Sequence, residues 1–122
     1  MDLIMPQVFD RIKASSGELV RCKKYNIGPW NMDTNNLLDV SWTWADLTKI
    51  LSVEIIILSD DGTYMLLLCG ATNSVTGKAS GGISAIRNTY IRLFRTDGEI
   101  FDGIAFDDAV MNRGYIFVWY IE

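Results

Sequence analysis

The chain contains no histidine. That absence removes Ser-His and Cys-His nucleophile pairs, imidazole general bases and imidazole metal ligands. Only two cysteines occur, Cys22 and Cys69, and neither has a Cys-x-x-Cys partner. They are expected as buried thiols of a chain folded in a reducing cytosol. No apolar run approaches the ~18 residues of a membrane span. The longest, residues 115–121, is strand-sized, so no membrane insertion is expected. No secretory signal is legible: Leu3-Ile4-Met5 is too short and is flanked by Asp2 and Pro6. There is no basic excess either. The net charge is -4, which opposes nucleic-acid binding, because a phosphate backbone calls for a dominant cationic surface. The densest basic group, Arg21, Lys23 and Lys24, reads as a solvated edge strand. Internal repeats and amphipathic helices of useful length are also missing.

What is present is apolar and strand-like. Hydrophobic residues make up 49% and charged residues 21%, a composition that folds. Mean hydropathy is above zero, high for so small a chain, and this suggests apolar surface buried between chains. Residues 18–27, 37–44, 53–58, 64–69, 83–86, 88–96 and 115–121 read as strands. Residues 59–62, Ser-Asp-Asp-Gly, read as a hairpin turn, since Asp-Gly tolerates positive φ. Residues 45–50 read as one helical turn, with Asp46 near its start and Lys49 near its end. Residues 71–82 form a polar loop of small residues. The expected fold is all-β, an antiparallel β-sandwich of about six to eight strands, with a closed barrel second. One domain spans residues 18–122, preceded by an arm or short helix over residues 1–17 that serves attachment.

The terminal strand poses the central difficulty. Tyr115, Phe117, Trp119 and Ile121 point one way; Ile116, Val118 and Tyr120 point the other. Both sets are apolar, and residues 53–58 and 64–69 share the property. A sandwich covers one face of each sheet. With no helix for the second, a self-associating subunit is the economical solution. Alternation leaves open which set is inside; if Tyr115, Phe117, Trp119 and Ile121 fill the core, Ile116, Val118 and Tyr120 are the expected oligomer contact.

Chemistry finds little purchase. Gly77-Lys78 resembles the end of a phosphate loop, but Ala79 stands where Ser or Thr is needed and Thr72 where the leading glycine belongs. Gly81-Gly82-Ile83-Ser84 is no nucleophile elbow. Asp97, Glu99 and Asp102, with Asp107 and Asp108, are the candidates for calcium or for an acid-base pair. They lack EF-hand spacing, and aspartates in glycine-rich turns commonly serve the backbone; Asp60-Asp61 is read the same way. No enzymatic activity, metal or cofactor is assigned. Trp30, beside Gly28-Pro29, is the candidate ligand contact among four tryptophans otherwise expected in core or interface.

Two patches resemble a known module. Gly28-Pro29-Trp30-Asn31-Met32-Asp33, before an alternating strand, is one. Leu93-Phe94-Arg95, Gly98, Phe101-Asp102 and Asn112-Arg113-Gly114-Tyr115-Ile116 with the closing aromatic strand form the other. Together they resemble the small β-sandwich of bacteriophage and prophage virion fibre proteins, tail or head, over about residues 25–122. The architecture is similar to that of the trimeric H-type lectins. The resemblance implies a structural virion protein, a head-fibre, tail-fibre or decoration subunit made in the host cytoplasm. It implies a homo-oligomer, trimer first and dimer next, docked by its arm to a capsid or tail protein. A lectin-like module for host-surface glycans, using Trp30 and residues 71–82, is the alternative.

Overall fold

The computed structural model describes residues 12–13, 19–63, 65–68 and 75–122. The strands are β1 (Ile12–Lys13), β2 (Leu19–Asn26), β3 (Leu37–Ser41), β4 (Ile50–Leu58), β5 (Met65–Leu67), β6 (Gly81–Ile86), β7 (Tyr90–Arg95) and β8 (Gly114–Ile121). They form a five-stranded sheet, β1-β2-β8-β4-β5, and a three-stranded sheet, β3-β7-β6. All pairings are antiparallel. The protein is therefore an all-β sandwich, as the strand spacing predicts.

The predicted turns form for the predicted reasons. Gly62 adopts φ 71° and its N–H reaches the Ser59 carbonyl at 3.0 Å. The helical turn shrinks to a 3-10 turn, Leu47–Lys49, capped by Asp46, whose carboxylate accepts from the Thr48 N–H. Most of the 1–17 segment lies outside the described residues. Ile12–Lys13, however, pairs with β2 through Ile12↔Val20, so the sheet reaches into what the sequence marks as an arm.

β8 is the middle strand of the larger sheet, hydrogen-bonded to β2 on one side and β4 on the other. A central strand must be apolar on its core face and carry no proline, and β8 satisfies both. Its entry depends on Gly114. A Cβ there would lie 1.9 Å from the Ile56 carbonyl oxygen, so only glycine allows β4 this close.

The core fills the space between the sheets. β8 contributes Ile116 and Val118, β4 contributes Ile55 and Ile57, and β7 contributes Ile91 and Leu93. Trp42 and Trp44 follow β3 and extend its pairing toward residues 88 and 89, with the Trp44 N–H on the Asn88 carbonyl at 2.8 Å. Tyr25, Trp42, Trp44 and Tyr120 then form a ladder of tilted and edge-on rings, with successive centroids 5.7, 6.1 and 4.9 Å apart. Such geometry places ring edges on ring faces and adds to area burial.

Candidate functional site

The structure settles the parity of β8, which alternation leaves open, against the candidate contact Ile116, Val118 and Tyr120. Ile116 and Val118 are fully buried inside the sandwich, and Tyr120 stacks edge-on against Trp44 on the same side. They are core residues, so the expectation that they form an oligomer contact is corrected. Tyr115, Phe117, Trp119 and Ile121 occupy the outer face and are half-buried. Alternation alone cannot choose between two apolar faces. The choice is made by Gly114 at the start of the strand and by Arg113 before it, both anchored to β4.

Trp30 is corrected as well. It is 2% exposed, packed in the core, and its indole N–H donates to the Asn35 carbonyl at 2.9 Å. No face of the ring is offered to a sugar. Asn31 turns the chain beyond it, accepting from the N–H groups of Asp33 and Thr34. Two buried arginines hold this loop from below. Arg113 donates to the Trp30 carbonyl at 2.9 Å, and Arg95 donates to the carbonyls of Met32 and Asp33. Sequence inspection missed both arginines, although each stands where strand alternation would place an inward side chain or next to one that does.

The acidic loops are occupied by structural duties. Asp97 and Asp102 both flank the Arg95 guanidinium; Asp102 also accepts from the Gly98 N–H at 2.7 Å. Glu99 is buried and accepts from the Thr76 hydroxyl at 3.1 Å. Asp60 meets Arg113 at 2.8 Å and accepts from the N–H groups of Asp107 and Asp108. Burial pushes the Asp60 carboxyl up, but the Arg113 guanidinium and those two N–H donors outweigh it and hold it below its ordinary value. Asp107 is pushed the other way, first by its hydrogen bond with the Asp60 carboxylate, then by burial and by the negative charges of Asp60 and Asp33. An open hollow of about 310 Å³ beside this corner is lined by Asp60, Asp61, Ile104 and Ala105. Its polar groups are already engaged, since Asp61 accepts from Ser59 and Thr63. Among the described residues no three acidic or cysteine side chains converge as a metal site would require.

What remains is the outer face of the five-stranded sheet. Register places these residues side by side. Asn26, Tyr115 and Ile56 form one cross-strand row, with Leu67 beyond Ile56; Lys24, Phe117 and Glu54 form the next; Cys22, Trp119 and Ser52 the third. Leu58 and Met65 continue the apolar surface toward β5. Met65 and Leu67 are 60% and 56% exposed. The Tyr115 and Phe117 rings are tilted at 6.4 Å, and the Lys24 ammonium sits 4.1 Å from the Tyr115 ring centroid.

The outer face of the three-stranded sheet provides an internal control. There Asp39 and Arg92 pair across strands with two hydrogen bonds, at 2.7 and 3.0 Å, flanked by Ser41 and Tyr90. The next row of that face is Leu37 and Phe94, with Leu37 49% exposed, so the face mixes polar and apolar residues. The outer face of the larger sheet is apolar along the whole of β8 and at Met65 and Leu67, and among the described residues no helix or strand packs over it.

The fold defines the chain as a two-layer β-sandwich. No family model, no curated protein and no solved structure matches it significantly.

Proposed function

We propose that this chain is a structural subunit that works by association through the outer face of its five-stranded sheet, and that the assembly it serves is a bacteriophage virion. One observation carries the first half: Tyr115, Phe117, Trp119, Ile121, Ile56, Leu58, Met65 and Leu67 share one face over which, among the described residues, no strand or helix packs, while the opposite sheet turns an ion pair to solvent. A monomer in water would carry that apolar surface at a cost; monomers rarely keep patches beyond a few hundred Å². The second half rests on the fibre-module resemblance of residues 25–122, with residues 1–17 as the attachment segment for a capsid or tail protein. The glycan alternative loses its residue, because Trp30 is inside the core.

Light scattering on the purified chain tests the association. Wild type is expected to be an oligomer at micromolar concentration. Phe117→Asp is expected to be a monomer with an unchanged circular dichroism spectrum. A wild-type monomer, or a Phe117→Asp oligomer of unchanged mass, overturns the reading. Deletion of residues 1–11, which spares β1, tests the attachment: particles assembled with the shortened chain should lack it after gradient purification.

A further inference from the structure

Resting on that reading, we infer that the occupant of the outer face is a second copy of this chain, related by a two-fold axis running along β8. Two sheets that pack face to face in a symmetric pair are related by an axis lying between them and parallel to both. It runs either along the strands or across them.

Either axis covers the face, because β8 is third of five strands: an axis along it lays β2 over the partner's β4, and an axis across it lays each strand over its own copy. Charge selects the first. Lys24 and Glu54 lie in one row, on either side of Phe117. Rotation about an axis along β8 exchanges left and right, so the lysine of each copy faces the glutamate of the other. Rotation about an axis across the strands keeps left on left and sets lysine toward lysine. Among the described residues the Lys24 ammonium lies over the Tyr115 ring, and the Glu54 carboxylate accepts from the Trp119 indole N–H at 3.5 Å. Both side chains are exposed.

The size is at the small end. β2, β8 and β4 are eight, eight and nine residues long, but β1 and β5 only two and three, so at ~4.8 Å spacing and ~3.4 Å per residue the sheet projects to about 500 Å² a side. Two such faces reach about 1,000 Å², the range of weak or transient interfaces. The twist of each sheet sets the aligned packing angle near 30°, which keeps the Phe117 rows in register at the centre. The ion pairs would add little net affinity, yet they exclude the competing orientation, which is what interfacial charges do best.

Charge reversal tests this. Lys24→Glu and Glu54→Lys each turn two attractive pairs into two repulsive ones. Each is expected to weaken the dimer at least about tenfold by sedimentation velocity, with the fold intact by circular dichroism. The double variant K24E/E54K should return to within about threefold of wild type. Mixing the two single variants should likewise yield a heterodimer. If Phe117→Asp dissociates the oligomer while both charge variants leave it unchanged, the face is an interface but this arrangement is wrong. A wild-type mass of three or more copies also overturns it. If Phe117→Asp has no effect, the underlying reading fails instead.

Discussion

The guanidinium of Arg113 is fully buried and lies 2.8 Å from the carboxylate of Asp60, at the base of the 59–62 turn. Its remaining N–H groups reach the carbonyls of Trp30, Leu58 and Asp108, each at 2.9 Å. One side chain thus ties together the Trp30 loop, the end of β4 and the 107–112 loop. A buried charge is tolerable only when so fully partnered. Arg113→Ala strands Asp60 beside several unpaired carbonyls. A loss of about 3–5 kcal/mol is expected, read as a large fall in urea midpoint with the slope unchanged. Arg113→Lys keeps the charge but not the planar fork and should fall between the two.

Acid should weaken the same corner. The Asp60 carboxyl is held below its unfolded value, so its stabilisation is present above the ordinary carboxylate range. It is lost as pH falls through the lower, folded value. Asp107 has the opposite sign: its folded value is raised, so its ionised form opposes folding at neutral pH. Asp107→Asn removes that charge and offers Asp60 an amide donor. The melting temperature is expected to rise at pH 7, and the gain should vanish as pH drops below the carboxylate range. A variant that melts lower than wild type at pH 7 would contradict this.

Residues 117 and 118 are neighbours with opposite fates. Val118→Asp places a carboxylate in the core and should abolish the cooperative melt. Phe117→Asp places it outside and should leave the melt of the monomer intact. Circular dichroism and light scattering on the two variants separate the faces of β8.

Trp30 behaves as a core residue in this structure. Trp30→Phe should cost about 1 kcal/mol for the lost bond to the Asn35 carbonyl. Trp30→Ala should cost about 3–5 kcal/mol for the cavity. Thermal melts check both, and a Trp30→Ala chain as stable as wild type would place the ring at the surface.

Gly114→Ala should be among the most damaging small changes. The new methyl would meet the Ile56 carbonyl within van der Waals distance, so β8 must move off β4 or lose pairing. Denaturant unfolding should show a drop far larger than the ~1 kcal/mol typical of point changes.

Much of the architecture was legible along the chain. Alternating β-branched and aromatic residues mark β2, β3, β4, β7 and β8, and Asp-Gly marks the turn between β4 and β5. The apolar residues on both faces of 53–58 and 115–121 were legible too, and among the described residues no element packs over the outer one. The clamp residues were less visible. Arg95 and Arg113 look like ordinary loop and strand-end cations until the carbonyls of residues 30–33 are brought beneath them from more than sixty positions away.

By itself the sequence determined that this is an all-β chain whose strands carry apolar residues on both faces, because period-two alternation and the absence of helical stretches are local properties. Only the tertiary structure decided which face of β8 is inside. Ile116 and Val118 are as apolar as Phe117 and Trp119, so hydrophobicity does not distinguish them. The decision falls to Gly114, where β4 approaches too closely for any side chain, and to Arg113, whose buried fork fixes how the strand enters the sheet. Those contacts are made across the sandwich rather than along the chain.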